Sequence, residues 1–587
     1  MVIARRAEGA RWLLEPPSAE EVFTPERFSE EHRMIARTVR TFLAQEVGPL
    51  DARLEQKDLP LMRSVLRKIG ALGVFAADVP PEFGGVGLDR ITGLLLAETI
   101  SRGSVSSTVG AHVTIGMLPI VFFGTRSQRA RYLPRMVTAE LVGAYALTES
   151  TAGSDALSLR TTAVPDPDGG YRLTGSKQFI TNGAIADVYI LYAKVEPNKV
   201  TCFIVDRETS GFTVGPEEHK MGLRGSSTTT LFLDNVRVSA EHVLGEVGRG
   251  HVVALNILNV GRLKLGAGCV GAAKHALRDA VAYARERRQF GRPIASFGLI
   301  QKKIAEMAIR IYLAESMVYR TGALLDHALD GIDLTGDGGA AEAARALAEY
   351  APECAINKVF GSEALDFVVD EMVQIYGGYG FIEDYPAARA YRDARINRLY
   401  EGTNEINRLV IAGQLLRRAA NGRLPVLEAA ARAAEHLGRD PGAPEEERGD
   451  LLARAKTVVL AGLGRAFDRL GPSLDEHQEV LALVSDGMIE IFAAESAVLR
   501  AAAGAGTHGG PLMTEIAAYA VDAMARRLGG LAAEMLSAVE EGPQLERDLI
   551  GVRRLLAVPP RNTLAARRAI AERILEGGGY PLGLPAA

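Results

Sequence analysis

The sequence predicts a multidomain protein that is mainly α-helical with a central β domain. The chain has 587 residues, too many for one hydrophobic core and enough for roughly three or four domains. Along most of it apolar residues recur at helical spacing, as at Met34, Ala36, Val39, Phe42 and Leu43, the period of a buried helix face. Between about residues 144 and 247 the texture changes to short alternating runs divided by turn residues, the pattern of strands.

Residues 1–143 read as a helical domain, its segments separated by breaks such as Pro80-Pro81-Glu82-Phe83-Gly84-Gly85. Residues 144–247 read as the β domain, with alternating runs at 171–174, 189–192 and 229–233, and turns at Asp166-Pro167-Asp168-Gly169-Gly170 and Asp234-Asn235. Residues 248–420 return to long helices. Residues 421–587 form a further Ala/Leu-rich helical domain, interrupted by a polar, proline-bearing connection at 439–448. The last two regions echo each other. Ile309-Arg310-Ile311-Tyr312-Leu313-Ala314-Glu315-Ser316-Met317-Val318-Tyr319-Arg320 matches 489–500 at seven of twelve positions, and Val369-Asp370 and Gly377-Gly378 find counterparts in Val521-Asp522 and Gly529-Gly530. Gln374 is replaced by Arg526 and nothing resembling Tyr400-Glu401-Gly402-Thr403 follows. The tail therefore reads as a degenerate copy of the preceding bundle that has lost its chemistry.

A formal net charge of −5 without a dense basic run argues against a nucleic-acid partner. Cys202, Cys269 and Cys354 are widely spaced, which excludes a disulfide framework and gives no support for a metal site. The N-terminus has no apolar leader pattern, so a cytoplasmic location is expected. Peripheral membrane contact is left open, although the tail shows no strongly basic amphipathic face.

Gly266-Ala267-Gly268-Cys269-Val270-Gly271 fits the dinucleotide fingerprint, but its flanks continue one helical pattern. With no preceding strand it reads as close helix packing. Ala146-Leu147-Thr148-Glu149-Ser150-Thr151-Ala152-Gly153-Ser154-Asp155 mingles hydroxyls and glycine where the β domain begins. It suits either a capped turn or a ligand loop of N–H and hydroxyl donors. Lys177-Gln178-Phe179-Ile180-Thr181-Asn182-Gly183 places an aromatic and a hydroxyl two residues apart, on one side of a strand. That pair suits either core packing or a flat cofactor. Arg285 to Arg288 end a helix and either complement its dipole or clamp a phosphate. Glu401, between an aromatic and a glycine, suits a base in a dry pocket.

Together these stretches resemble the acyl-CoA dehydrogenase family over about residues 30–418. The first family signature is matched at 146–155 and the second by Gln374, Gly377-Gly378-Tyr379-Gly380-Phe381, Asp384, Arg389 and Asp393. Asn256 to Arg262, Phe297 to Gln301 and the C-terminal extension are most similar to the very-long-chain branch. The resemblance implies a helical domain, a β-barrel-like domain and a helical bundle, with FAD as cofactor and an acyl-CoA thioester as substrate. Glu401 matches the base that removes the Cα proton, and the Cβ hydride passes to flavin N5. By the same resemblance the thioester oxygen accepts from the Glu401 N–H and a flavin ribityl hydroxyl.

Tyr145, Leu147, Thr148, Phe179, Ile180 and Thr181 are placed against the flavin, with phenylalanine at 179 where many relatives carry tryptophan. Gly153 and Ser154 fall at FAD phosphate or the pantetheine. Arg287, Phe290, Gln374, Gly377 and Gly378 fall at the FAD of a neighbouring subunit, and Thr403 and Glu405 meet the cofactor again. Asn259 and Arg262 align with the CoA-binding turn, and Tyr400 and Gly402 flank the substrate. Small residues over 103–112, where medium-chain relatives carry large polar ones, predict long-chain substrates. The expected product is a trans-2-enoyl-CoA, with electrons passed to electron-transfer flavoprotein by a homodimer. An acyl-CoA oxidase and a respiratory-complex assembly protein are the alternatives.

Overall fold

Side-chain caps set the helix starts of the first domain. Ser29, Asp58, Asp89 and Thr125 each accept a backbone N–H three residues on, satisfying donors that a helix end leaves free. They open α1 (Glu30–Phe42), α3 (Leu59–Ala71), α4 (Arg90–Thr99) and α7 (Arg126–Met136), with the short α2 (Asp51–Glu55) between. α5 (Gly103–Gly110) runs through a π-helical stretch, Ala111–Met117, into α6 (Leu118–Phe123). The computed structural model describes the chain except residues 1–7, 18–21, 168, 335, 337, 439–449 and 585–587. The expected connection at 439–448, Asp168 and the first seven residues of the N-terminus lie outside the described residues.

Inside the π-helical stretch His112 is fully buried. Its Nδ1 accepts from the Gly143 N–H at 3.0 Å and its Nε2 lies 3.0 Å from Met136 O. Burial pushes its pKa down to about 4, so the ring is neutral and Nε2 carries the proton that bonds Met136. This imidazole ties the first domain to the opening strand of the second.

The β domain comprises β1 (Gly143–Ala146), β2 (Thr162–Pro165), β3 (Tyr171–Thr181), β4 (Val188–Glu196), β5 (Lys199–Asp206), β6 (Phe212–Glu217), β7 (Thr228–Val238) and β8 (Val243–Leu244). They form one sheet in the order β6-β7-β3-β2-β4-β5-β8, with β1 joining β4 in parallel. The sheet encloses its own small core around Leu173, Ile180, Tyr189, Phe203 and Leu231. The β3–β7 register slips between Lys177 and Ile180, where Phe179 takes φ 58°. This is a bulge, and it turns Phe179 out of the alternation.

The third domain contains α8 (Gly250–Glu286), a hairpin of β9 (Arg288–Gln289) and β10 (Arg292–Pro293), α9 (Gly298–Leu329), α10 (Gly339–Glu349), α11 (Ala351–Tyr376), α12 (Pro386–Ala394) and α13 (Asn404–Ala420). The glycine fingerprint lies in the middle of α8. A Cβ on Gly271 would fall 1.9 Å from Glu98 O, so these glycines let helices approach closely. Two segments, Gly103–Phe123 and Gly250–Glu286, are long and apolar enough to cross a membrane. Both are mostly buried against the rest of the protein, as core helices are.

The tail adds α14 (Val426–Leu437), α15 (Leu451–Leu470), α16 (Gln478–Ala503), α17 (Gly510–Val539), α18 (Gly542–Leu555) and α19 (Thr563–Gly577). The two echoed segments, on α9 and α16, lie against each other and exchange equivalent bonds. Arg320 donates to Glu495 at 2.8 Å and to Ser496, while Arg500 donates to Glu315 at 2.6 Å and to Ser316. Each guanidinium also covers the opposite aromatic, Arg320 over Phe492 and Arg500 over Tyr312. The two echoed segments thus meet about a local pseudo-two-fold axis.

Candidate active site

Glu401 and Gly402 lie in the turn between the 3-10 helix Arg395–Arg398 and α13, both left-handed at φ 58° and 81°. Such a conformation costs a glutamate free energy and persists only where neighbours hold it. Here Arg262 Nε donates to Glu401 O at 3.1 Å. Lys358 Nζ donates to Gly402 O at 2.7 Å and Asn404 Oδ1 at 2.6 Å. Asn407 Nδ2 donates to Gly402 O at 2.8 Å and Thr403 O at 2.9 Å. Arg262 Nη1 completes the frame on Asn259 Oδ1 at 3.0 Å. Asn259 and Arg262, expected at CoA, have side chains that are buried and engaged with each other and with the Glu401 loop.

The carboxylate has no such partners. Its Oε2 is buried without a hydrogen bond, and α8 makes room for it with Gly261, where a Cβ would lie 2.8 Å from Oε2. Burial raises the Glu401 pKa to about 7, against the pull of Arg262 and Lys358. Burial likewise draws Lys358 down to about 8. A carboxylate poised near neutrality, with Oε2 buried and unpaired and the residue lining a cavity, is what a general base requires.

Glu401 lines a cavity of about 550 Å³ together with Tyr400, Gly261, Thr181, Ser107, Gly110 and Leu365. The Tyr400 hydroxyl donates to Asn397 Oδ1 at 2.8 Å. Thr403 and Glu405 do not line this cavity. The Thr403 hydroxyl accepts from the Ile406 N–H at 3.3 Å, capping α13. The N–H of Glu405 and the Thr403 hydroxyl hold the Glu405 carboxyl below its ordinary value.

The β domain supplies a second wall. Gln178 N donates to Thr148 O at 2.9 Å, which brings Thr148 beside the strand end carrying Phe179 and Thr181. Phe179 is 58% exposed, so it is not core, and its ring stands free at the bulge. Among the expected cofactor residues, Leu147 has its side chain buried in the main core, and Ile180 in the β core, because the bulge resets the alternation. Tyr145 packs edge-on against Tyr192, with ring centroids 5.2 Å apart and its hydroxyl buried. Beneath this wall Lys177 Nζ donates to Glu149 Oε1 at 2.6 Å and Leu147 O at 3.2 Å. Glu149 also accepts from Thr161 and from the Arg160 N–H. Burial draws Lys177 to about 8, and these donors hold Glu149 below its ordinary value. Gly153 and Ser154 are exposed on the loop beyond.

Arg287, Phe290, Gln374, Gly377 and Gly378 lie together on an exposed face. Arg287 sits over the Tyr379 ring at 5.5 Å. Phe290, at the tip of the β9–β10 hairpin with φ 51° beside Gly291 at 79°, is 93% exposed. None of the five lines the Glu401 cavity.

Lys358, Asn407 and Gly261 were not singled out from the sequence, nor was Arg389 in the second signature as a clamp. Arg389 pairs with Asp51, Glu55 and Asp393, and Asp393 accepts from the Leu223 N–H at 2.5 Å, joining all three domains. Among the described residues no group of three or more metal-ligating side chains occurs.

Thr181 of the β domain lines the same cavity as the base, with Phe179 exposed two residues before it, an arrangement that suits a flavin-dependent dehydrogenase. The free ring of Phe179 and the hydroxyls of Thr148 and Thr181 suit the flavin end of FAD, while Arg287 and Gln374, on the separate exposed face, suit the FAD of a neighbouring subunit. Family models agree: the acyl-CoA dehydrogenase N-terminal, middle and C-terminal domains match residues 29–140, 144–236 and 248–416, and a further acyl-CoA dehydrogenase C-terminal domain matches 454–554. A probable acyl-CoA dehydrogenase of Bacillus subtilis is 44% identical over 98% of both chains. The human very long-chain specific acyl-CoA dehydrogenase is 40% identical over 64% of this chain and 57% of its own. An acyl-CoA dehydrogenase from Bacillus anthracis, solved in complex with FAD, superposes with a TM-score of 0.94 at 44% identity, over 98% of this chain and all of that one. The chain belongs to the acyl-CoA dehydrogenase family and is an FAD-dependent dehydrogenase.

Proposed function

We propose that the enzyme desaturates long-chain acyl-CoA thioesters between Cα and Cβ, with Glu401 taking the Cα proton and electrons leaving to electron-transfer flavoprotein. One observation supports the choice of base above others: the Glu401 carboxylate is buried and unpartnered in the cavity, on a backbone strained into place. The cations Arg262 and Lys358 grip the loop carbonyls rather than the carboxylate, so the base is positioned without being neutralised. FAD, when bound, supplies the acceptor for the Cβ hydride.

Long chains are favoured because Gly103, Ser106, Ser107, Gly110 and Ala111 line the cavity with little volume. The exposed face of Phe290 and Gln374 favours a dimer in which each subunit completes its partner's cofactor site. The test is anaerobic bleaching of the bound flavin with acyl-CoAs of increasing length, in wild type and Glu401→Gln. Wild type should bleach best with long chains, and the variant at least a hundredfold more slowly. No bleaching by any acyl-CoA in wild type would sink the substrate assignment, and fast peroxide formation in air would replace the flavoprotein acceptor by oxygen.

A further inference from the structure

We propose that the acyl cavity is a tunnel open and polar at its far end, and that the preferred thioesters are long chains ending in a hydroxyl, which the His275 imidazole receives. This rests on the assignment of Glu401 to the thioester end. Along α8 the lining includes Gly261, Leu265, Gly268, Ala272, His275 and Asp279, alternately four and three apart, a stripe on one helix face with Lys264, Cys269 and Ala276 at its margins. At 1.5 Å per residue the stripe from Gly261 to Asp279 runs about 27 Å.

Gly261 touches the base, so the chain must extend from there toward Asp279. The middle of the tunnel is apolar, with Leu265, Ala272, Leu365, Val369 and Met372 along it. Its end is not. Arg102, Asp279, Glu383, Asp384, Arg389 and Asp51 gather there, and the Arg102 and Glu383 side chains are 62% and 66% exposed. A terminal methyl gains nothing from such a mouth, whereas a hydroxyl keeps its hydrogen bonds.

His275 stands just inside the mouth, about 21 Å along the stripe from Gly261. An extended hydrocarbon advances roughly 1.25 Å per carbon, from C–C bonds of about 1.5 Å in staggered zigzag. The imidazole is thus level with roughly the sixteenth to eighteenth carbon of an acyl chain. Its Nδ1 is buried without a hydrogen-bond partner. Burial, reinforced by Arg278 and Arg102, holds its pKa down to about 3, so the ring is neutral, one nitrogen donating and the other accepting. A hydroxyl matches that pair of functions. A terminal carboxylate does not, because Asp51, Asp279, Glu383 and Asp384 surround the exit and both arginines already face carboxylates.

The FAD-loaded enzyme, as wild type, His275→Phe and His275→Gln, is assayed anaerobically with hexadecanoyl-CoA, 16-hydroxyhexadecanoyl-CoA and the mono-CoA thioester of hexadecanedioic acid. Wild type should show a kcat/KM for the hydroxylated thioester at or above that for hexadecanoyl-CoA. His275→Phe should shift this ratio tenfold or more toward hexadecanoyl-CoA, and His275→Gln should restore it to within threefold of wild type. A wild-type ratio below one overturns the preference, and a shift of less than tenfold in His275→Phe overturns His275 as the receiver. Preference for the carboxyl-terminated thioester overturns the choice of terminal group. If hexadecanoyl-CoA itself fails to bleach the flavin, the Glu401 assignment fails first, which separates the two.

Discussion

Glu401 combines three costs at one residue: a left-handed backbone, a buried carboxylate and an unpaired Oε2. Each is unfavourable for folding, and each serves proton abstraction. Because its pKa rises from 4.5 to about 7, the base is active only when deprotonated, and kcat/KM should climb with pH along a limb centred near 7. The same shift makes a stability statement. A folded value above the unfolded one means the contribution is fully present below about pH 4.5 and lost as pH rises through 7, a cost of about 3 kcal/mol above it. Glu401→Gln should therefore be more stable than wild type in urea at pH 8, by up to about 3 kcal/mol, with the gap narrowing toward pH 5. Equal or lower stability at pH 8 would refute this. Gly261→Ala should cut kcat roughly 10- to 100-fold, because its Cβ meets the carboxylate at 2.8 Å and displaced bases lose rate steeply.

At the scale of elements, the flavin-facing wall depends on what lies beneath it. The β3 bulge exposes Phe179, and the Lys177–Glu149 pair holds the 147–149 loop against that strand. Glu149→Gln would leave Lys177 buried without its counter-charge, at a cost of about 3–5 kcal/mol. The variant should lose FAD on gel filtration while its far-UV spectrum persists below the lowered melting point. Retained flavin and unchanged stability would show that the pair does not support the wall. The helix–strand–helix order and the two long signatures were legible because period and turn chemistry are local. The bulge was not, since the alternation through Phe179 and Thr181 reads as an unbroken strand, and only pairing with β7 shows the slip. The bundle arginines and lysines were illegible for a related reason: Lys358 reads as one lysine in a helix until the fold brings Gly402 to it.

Over the whole molecule, the tail acts as a built-in neighbour. Arg500 is fully buried and donates to Glu26, Glu315, Ser316 and Tyr580, so one side chain joins the N-terminal segment, the catalytic bundle and the tail. Arg500→Met should lower the urea midpoint by an amount equivalent to about 3 kcal/mol, since it leaves buried Glu315 sharing Lys274 with Glu98 and Glu26 without its guanidinium. Flavin fluorescence and circular dichroism should shift together. A shift in only the helical signal, with flavin release unmoved, would show the tail to be energetically separate from the catalytic bundle.

By itself the sequence determined the order of domains, the family, the cofactor and the identity of the candidate base, because periodicity, turn residues and contiguous signatures are properties of neighbours along the chain. It also revealed the echo between 309–320 and 489–500. Only the tertiary structure decided that these echoes clasp each other, that Arg262 and Asn259 brace the loop of the base, and that α8 lays a tunnel from Glu401 to a charged mouth. Those relations join residues tens to hundreds of positions apart, and their energy comes from burial and charge pairing that exist only once the chain has closed.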